Sequence, residues 1–218
     1  MRTLLISGGA IDMEWAAGFL KLNHYDSVIA VDGGLSAANL LHVTPDMAVG
    51  DFDTVDPDIL DDFEKSGRSR TIRLNPMKDD TDTQHAVQTA IDNGADEIHI
   101  IGGMGGRADH FMTNIYLLKM AYDKGVKAYM YDEINKIHII DGKCKLKRDP
   151  VYNKYISFIQ LESSALDVTM KGFVYNVEHY DFDTDREYRL GVSNEFVGEE
   201  AEITIGKGKL VVIEISKN

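Results

Sequence analysis

The feature that most constrains the fold of this chain is an alternation of short apolar runs with segments of helical length, which continues from the N-terminus to about Asp132. The six predicted strands are Thr3–Ser7, Val28–Asp32, Met47–Asp51, Thr71–Leu74, Glu97–Gly102 and Val126–Tyr131. Strands that alternate with helices typically form a mostly parallel sheet that is covered by helices. We therefore predict an α/β fold for this part of the chain.

Two of the intervening helices carry clear end signals. Thr81 and Gln84 are spaced as a capping box, and Asn93-Gly94 follows as a stop signal, so we predict a helix from about Thr81 to Asp92. A second helix follows a glycine-rich stretch and ends before Gly125. Its apolar residues at helical spacing are Phe111, Ile115, Leu118 and Ala121.

From Lys136 onward the pattern changes to short segments rich in β-branched and aromatic residues, separated by turn residues. The predicted strands are Lys154–Glu162, Asp167–Phe173, Val174–Phe182, Glu187–Val192, Ala201–Gly206 and Leu210–Ser216. This pattern is typical of an antiparallel β-sandwich or barrel. The fold class is therefore α/β, with a mostly parallel, Rossmann-like sheet flanked by helices and followed by a smaller antiparallel β-sandwich domain.

The transition between the two patterns is expected within Asp141–Pro150, and we assign residues 1–135 to the α/β domain and residues 136–218 to the β-sandwich domain. Lys143, Lys145, Lys147 and Arg148 lie in this stretch among few apolar residues. A solvated linker or an edge strand explains such a cluster.

Composition argues against several classes of partner. Hydrophobic residues make up 44% and charged residues 27% of the chain, as in ordinary globular proteins, and the formal net charge is -13. That charge argues against binding to the nucleic-acid backbone or to anionic lipid. Cys144 is the only cysteine, so no internal disulfide forms, and no segment approaches the roughly 18 apolar residues that span a membrane. We expect an untargeted, soluble, cytoplasmic protein.

Carboxylates follow the predicted strand that ends near Gly50. Asp51 and Asp53 come directly after it, and in an open α/β sheet ligands collect beyond the carboxyl ends of the strands. If the backbone stays extended, both side chains point to one side and could hold a metal ion. A structural explanation stays open, because Asp56-Pro57 could start a helix and Asp53 could belong to its capping loop.

A second acidic cluster occurs in Lys78-Asp79-Asp80-Thr81-Asp82, at the start of a predicted helix. Asp79 and Asp82 are three residues apart and can lie on one helix face, where exposed N–H groups also attract anions. An acid at this position also stabilises the helix dipole without any further function. This is a second pair of acids in addition to Asp51 and Asp53, and it lies beside Lys78, whose side chain could reach a phosphate. The repetition favours Mg²⁺ and nucleotide phosphate as ligands.

Two glycine-bearing turns complete the pattern. The first is Gly102-Gly103-Met104-Gly105-Gly106-Arg107, which follows a strand and opens a helix; glycine lets backbone N–H groups approach phosphate, and Arg107 can bind it in a forked manner. It is neither a P-loop nor a dinucleotide fingerprint, and close packing is an equally open explanation. The second is Asp32-Gly33-Gly34, where the carboxylate could bind a ribose or an amine, or could cap a helix.

Taken in order, these motifs resemble those of the thiamine pyrophosphokinase family, and the resemblance covers nearly the whole chain. The motifs that carry it are Asp32-Gly33-Gly34, Gly50-Asp51-Phe52-Asp53-Thr54, Lys78-Asp79-Asp80-Thr81-Asp82, Gly102-Gly103-Met104-Gly105-Gly106-Arg107-Ala108-Asp109-His110 and Ser193-Asn194. The change from α/β to all-β structure is similar to the two-domain plan of that family.

The resemblance implies transfer of the β,γ-diphosphate of ATP to the hydroxyl of thiamine, giving thiamine diphosphate and AMP. It implies a catalytic group of Asp51, Asp53 and Asp82, which with Asp79 would hold Mg²⁺. It also implies an ATP site made of Asp32, Gly33, Lys78, Asp79, Thr81, Arg107, Asp109 and His110. Ser193 and Asn194 on the β domain would contact thiamine. The family is typically a homodimer whose active site lies between subunits, so a second copy of the chain is an expected partner.

Two alternatives remain open from sequence. One is an ATP-dependent pyrophosphokinase that acts on another heterocyclic alcohol, such as a hydroxymethylpterin, with the same metal site. The other is a non-catalytic module that binds nucleotide or thiamine. Such a module would keep Arg107 and the glycines but would not need to gather Asp51, Asp53, Asp79 and Asp82, so these acids favour catalysis.

Overall fold

The computed structural model describes residues 1–67, 70–75, 77, 79–186 and 191–216. It divides the chain into two units, Met1–Glu133 and Ile134–Asn218. Among the described residues, no helix has the length and apolar character needed to cross a membrane.

Unit 1 contains a parallel sheet of strands in the order β4-β3-β2-β1-β5-β6. The strands are β1 (Arg2–Ile6), β2 (Ser27–Val31), β3 (Met47–Gly50), β4 (Arg70–Arg73), β5 (Glu97–Ile101) and β6 (Lys127–Tyr131). Each predicted strand is confirmed to within one residue at either end. The apolar runs explain this agreement, because Leu4–Ile6 and Ile100–Ile101 are fully buried, as expected for central strands that are covered on both faces.

In the described ranges of unit 1, five helices connect these strands: α1 (Met13–Leu22), α2 (Gly34–Leu40), α3 (Pro57–Lys65), α4 (Asp82–Asp92) and α5 (Ala108–Asp123). The side chain of Thr81 accepts a hydrogen bond from the backbone N–H of Gln84, which confirms the predicted cap of α4. The side chain of Asp56 caps α3 in the same manner through the N–H of Asp58.

The strand order reverses direction between β1 and β5. Strands β2, β3 and β4 extend to one side of β1, whereas β5 and β6 extend to the other. In open α/β sheets, a crevice forms at the carboxyl edge where the order reverses, and ligands bind there. The loops that follow β1, β2 and β5 all leave the sheet at this edge.

Unit 2 consists of two antiparallel sheets that share one core. The first has the order β12-β9-β14-β7 and the second the order β11-β10-β13-β8. The strands are β7 (Asn135–Ile140), β8 (Lys143–Lys147), β9 (Tyr155–Gln160), β10 (Ser164–Lys171), β11 (Val177–Asp183), β12 (Gly191–Asn194), β13 (Glu200–Lys207) and β14 (Leu210–Ile215). Phe158 and Val212 of the first sheet pack with Val168 and Ile203 of the second. The predicted fold class is therefore confirmed.

Near the boundary between the two units, the structure contains one strand that was not predicted, and it decides between the two explanations for the lysine-rich stretch. β7 was not predicted, although it is buried over most of its length. Of the two explanations for the lysine-rich stretch, the edge strand is confirmed: within the part of the chain that the structure describes, β8 pairs with β13 alone, its lysines are exposed, and Cys144 and Leu146 pack against the core. The predicted strand Glu187–Val192 lies in part outside the described residues, and β12 begins at Gly191.

Candidate active site

Three carboxylates meet at the carboxyl edge of unit 1. Asp32 follows β2, and Asp51 and Asp53 follow β3, the strand next to it. One carboxylate oxygen from each of these residues lies within 4.8 Å of those from the other two. Carboxylate oxygens are the ligands that Mg²⁺ prefers, so this group could hold a divalent cation.

The backbone brings Asp51 and Asp53 together by a turn rather than by strand alternation. Phe52 between them has φ 62°, in the left-handed region that a bulky residue rarely adopts. Its side chain is 6% exposed and packs with Leu35 and Phe63 in a cluster that secures this conformation. The N–H of Asp53 then donates to Oδ1 of Asp51 over 3.3 Å.

The electrostatics of this group favour a cation. The charge of Asp51, followed by burial and the charges of Asp32 and Asp82, raises the pKa of Asp53 above its ordinary value. Asp32 Oδ2 accepts a hydrogen bond from Thr54 Oγ1 over 2.9 Å, whereas Asp32 Oδ1 is buried without a hydrogen-bond partner among the described residues. A buried carboxylate oxygen that lacks a partner fits the donor set of a metal site.

The second predicted cluster is distributed over the start of α4. Asp82 is the first residue of the helix, and its charge reaches Asp53, but among the described residues it is not part of the three-carboxylate group. Asp79 is exposed and also lies outside that group. Asp80 pairs with His85 Nε2 over 2.9 Å. Lys78 lies outside the described residues.

The glycine-rich turn after β5 is tightly packed at its first residue and open at its last. Gly102 has φ 71°, and a Cβ there would lie 2.4 Å from the carbonyl oxygen of Ser7, so only glycine fits. Asn114 of α5 is buried and donates through Nδ2 to the carbonyl oxygen of Gly103 over 2.8 Å. Gly106 is exposed and has open space around it. The packing explanation therefore holds for Gly102, Gly103 and Gly105, because a Cβ on Gly103 or Gly105 would lie 2.7 Å from Met130 or Ala10, whereas Gly106 is accessible to a ligand.

Arg107 and Asp109 form a forked ion pair at the start of α5. Arg107 Nε donates to Asp109 Oδ1 over 3.1 Å, and its terminal nitrogen donates to Oδ2 over 2.6 Å. These bonds, with the backbone N–H of His110, lower the pKa of Asp109 to about 2. The pair orients the guanidinium group while both side chains and His110 remain exposed.

Ser193 and Asn194 are adjacent in unit 2 but occupy different environments. Ser193 is exposed and has φ 56°. Asn194 is 6% exposed, and its amide is engaged with a neighbouring loop: Oδ1 accepts from the N–H of Tyr175 and Nδ2 donates to its carbonyl oxygen. These bonds hold the backbone of Tyr175, which is 69% exposed. Phe196, by contrast, packs against Phe173 in the core.

The sequence patterns did not single out one loop of unit 1 and one exposed aromatic residue of unit 2. The first is the loop Ser7-Gly8-Gly9-Ala10 after β1, which contacts the loops after β2 and β5. The sequence does indicate this loop, because two glycines directly follow the predicted first strand. The second is Tyr175, which gave no signal because its link to Asn194 joins positions 19 residues apart.

A parallel sheet with carboxylates and glycine-rich turns at its carboxyl edge is typical of α/β enzymes that bind nucleotides. Residues 20–130 match the family model described as the thiamin pyrophosphokinase catalytic domain, and residues 143–210 match that of the thiamin pyrophosphokinase vitamin B1 binding domain. The chain belongs to the thiamin pyrophosphokinase family. Transfer of diphosphate from ATP to thiamine is the activity of this family, so the predicted family and enzyme class are confirmed.

Individual relatives agree with this assignment. Thiamine pyrophosphokinase of Bacillus subtilis (strain 168) is 30% identical over 186 residues, which cover 85% of each chain. A crystal structure of the enzyme from Bacillus subtilis superposes with a TM-score of 0.87 at 27% identity over 100% of both chains. Yeast thiamin pyrophosphokinase, at 17% identity and a TM-score of 0.80 over 98% of this chain and 86% of its own, shares the fold.

Proposed function

We propose that this chain transfers the β,γ-diphosphate of ATP to the hydroxyl of thiamine, with Asp51, Asp53 and Asp82 as the catalytic group in unit 1. The observation that carries this proposal is the meeting of Asp51 and Asp53 with Asp32 within 4.8 Å, at the edge of the sheet where the glycine-rich turn after β5 also lies. A module that only binds nucleotide has no need for mutually repelling carboxylates at this position.

We further propose a Mg²⁺ site in this group. Asp51 and Asp53, with Asp79 and Asp82 from the second cluster, are the proposed ligands, and the buried oxygen of Asp32 supports adding that residue to the set. When bound, Mg²⁺ would neutralise charge on the triphosphate as the diphosphate leaves AMP.

The side chains of the protein would mainly align the reactants. The hydroxyl of thiamine has a high pKa, and a loose transition state requires little deprotonation before attack, so the rate depends on holding the oxygen in line with the β-phosphorus and the leaving AMP. Arg107, oriented by Asp109, is proposed to hold phosphate oxygens. His110 and Lys78 are proposed as further contacts to ATP, and Asp32 with Gly33 as contacts on its nucleotide side.

Thr81 serves two purposes in this proposal. Its oxygen accepts the N–H of Gln84 as the cap of α4, and its hydroxyl hydrogen can still be donated to a phosphate oxygen. The start of α4 also presents backbone N–H groups and a partial positive charge, which favour an anionic ligand.

Thiamine recognition is proposed for Ser193, Asn194 and Tyr175 in unit 2. Ser193 is exposed and can donate to the pyrimidine ring, whereas Asn194 is placed to hold Tyr175. An exposed aromatic face suits a ligand with two aromatic rings and a cationic thiazolium. The net charge of -13 favours approach of this cation.

A homodimer with the active site between subunits and a cytoplasmic location are also proposed. The family resemblance supports the first, and the single cysteine, Cys144, supports the second.

The direct test is to incubate the purified protein with ATP, Mg²⁺ and thiamine and to measure AMP and thiamine diphosphate by chromatography. Equimolar formation of both products is expected, and omission of thiamine should abolish AMP formation. A hydroxymethylpterin in place of thiamine is the matched control. Turnover with the pterin alone would contradict the proposed substrate, and tight ATP binding without AMP release would contradict the proposed reaction.

A further inference from the structure

The loop Ser7-Gly8-Gly9-Ala10 lies where the strand order reverses. It follows β1, which pairs with β2 on one side and β5 on the other. β2 leads to Asp32, and β5 leads to the glycine-rich turn. A loop at this position borders the crevice in which open α/β sheets bind their ligands.

The backbone of this loop touches the backbones of both neighbouring loops. A Cβ on Gly8 would lie 3.2 Å from the Cα of Gly33, and a Cβ on Gly9 would lie 2.4 Å from the carbonyl oxygen of Gly102. Ser7 N and Gly9 N donate to the carbonyl oxygens of Ile101 and Gly102 over 2.9 Å and 3.1 Å. The loop therefore has a fixed position beside Asp32-Gly33 and the glycine-rich turn, and the methyl group of Ala10 packs against Gly105, where an added Cβ would lie 2.7 Å from it.

The same loop also reaches the start of α4. Ser7 is 3% exposed, and its Oγ lies 3.4 Å from Oγ1 of Thr83, two residues beyond the cap of that helix. This contact places the loop next to the helix turn that carries Asp82.

Two backbone donors of the loop are available for a ligand. Gly8 and Ala10 are exposed, and within the described ranges their N–H groups donate to no group of the protein. Backbone N–H groups in short, glycine-bearing loops are typical donors to phosphate oxygens.

We propose that the backbone N–H groups of Gly8 and Ala10 bind the phosphate chain of the nucleotide. The loop after β1 and the Gly102–Gly106 turn after β5 would then hold the phosphates from two sides. This proposal rests on the function proposed above, because it takes ATP as the ligand. It assigns a binding role to a segment that the sequence motifs did not include.

The test introduces a negative charge at the loop. Ala10→Asp places a carboxylate beside the proposed phosphate site, and Ala10→Asn is its neutral control of nearly equal size. We expect Ala10→Asp to raise the Kd of a non-hydrolysable ATP analogue, measured by calorimetry at saturating Mg²⁺, about tenfold or more over Ala10→Asn. The Kd of thiamine should be the same in both variants. Equal nucleotide affinity of the two variants would overturn the proposal.

Two further measurements keep the test decisive. Ala10→Lys should bind the analogue at least as tightly as Ala10→Asn, since the sign of the charge is reversed. In the unsubstituted protein, the amide NMR signals of Gly8 and Ala10 should shift when the analogue is added, and unchanged signals would contradict the proposal even if Ala10→Asp fails to fold. Failure of the unsubstituted protein to convert thiamine would refute the proposed reaction alone, because nucleotide binding is measured separately.

Discussion

Asn194 holds Tyr175 through both ends of its side-chain amide, with Oδ1 3.0 Å from the Tyr175 N and Nδ2 2.8 Å from the Tyr175 carbonyl oxygen. Because Asn194 is buried, its removal would leave two backbone groups of Tyr175 without partners. We expect Asn194→Ala to lower the free energy of unfolding by about 1–3 kcal/mol. It should also raise the KM for thiamine while leaving that for ATP unchanged.

The aromatic ring of Tyr175 is tested separately. Tyr175→Ala should raise the KM for thiamine at least tenfold, and Tyr175→Phe should have little effect, because the ring face rather than the hydroxyl makes the proposed contact. The free energy of unfolding should stay close to that of the parent chain in both variants, since the ring is exposed. Equal KM values for Tyr175→Ala and the parent chain would remove Tyr175 from the thiamine site.

Substitution of one acid in the three-carboxylate group is expected to raise the stability of the protein and to lower its activity. Asp53→Asn removes one of the charges that repel one another, so we expect a higher Tm in EDTA. Turnover with ATP and thiamine should fall by about 100-fold or more, because a ligand of the proposed metal is lost. Glu199→Gln, which removes an exposed charge in unit 2, is the control and should change neither quantity. Near-normal turnover of Asp53→Asn would contradict the catalytic assignment.

Arg107→Ala is expected to weaken productive ATP binding and to raise the KM for ATP about tenfold or more, because hydrogen bonds to charged phosphate oxygens are lost. Arg107→Lys should recover only part of this loss, because lysine cannot form the forked contact with phosphate. The KM for ATP, measured between pH 5 and 9, reports the effect. The pKa of Asp109, about 2, lies below its unfolded value, so this carboxylate stays ionised over that range and its pairing is lost only as pH falls toward 2. A KM that changes with the ionisation of Asp109 above pH 5 would contradict this pairing.

Asp167 and His179 form an exposed pair on β10 and β11, with Oδ1 and Nδ1 2.6 Å apart. Asp167 raises the pKa of His179 above its ordinary value of 6.5. Because the folded pKa is the higher one, the pair contributes stability fully below pH 6.5, and the contribution is lost as pH rises through the folded pKa. NMR titration should show a lower His179 pKa in Asp167→Asn. The difference in urea stability between the two chains should be larger at pH 5.5 than at pH 9, and a difference that grows with pH would refute the pairing.

The proposed dimer is testable by complementation. Asp53→Asn affects unit 1 and Tyr175→Ala affects unit 2, so each variant alone should be impaired. If each active site combines unit 1 of one copy with unit 2 of another, then a randomly exchanged equimolar mixture should regain about a quarter of the parent activity. Light scattering of the parent chain gives the oligomeric state independently. A monomer, or no recovery in a mixture shown to exchange subunits, would contradict the proposed arrangement.

The sequence predicted most of the fold because burial and apolar pattern coincide in unit 1. β7 escaped prediction because Lys136 and His138 interrupt its apolar residues. In the folded chain both side chains bind Glu214 of β14, over 2.9 Å and 3.1 Å. The partner that makes these two polar residues acceptable in a buried strand is far away in the sequence, so the residues around β7 do not indicate a strand.

The candidate site was predictable in its residue types but less so in its geometry. Asp51 and Asp53 could be identified from their position after a strand, but the left-handed conformation of Phe52 depends on the cluster that buries its ring. The addition of Asp32 requires that β2 and β3 be neighbours, which is a property of the sheet rather than of either segment.

The lysine-bearing edge strand β8 has a consequence for the behaviour of the protein at high concentration. Lys145 and Lys147 pair with Glu202 and Glu200 of β13, and the outer side of β8 pairs with no other strand among the described residues. An uncharged edge of this kind would be a template on which a further chain could add a strand and begin to aggregate. Charged side chains along an edge strand disfavour the addition of a further strand, so the lysines of β8 would oppose this route to aggregation.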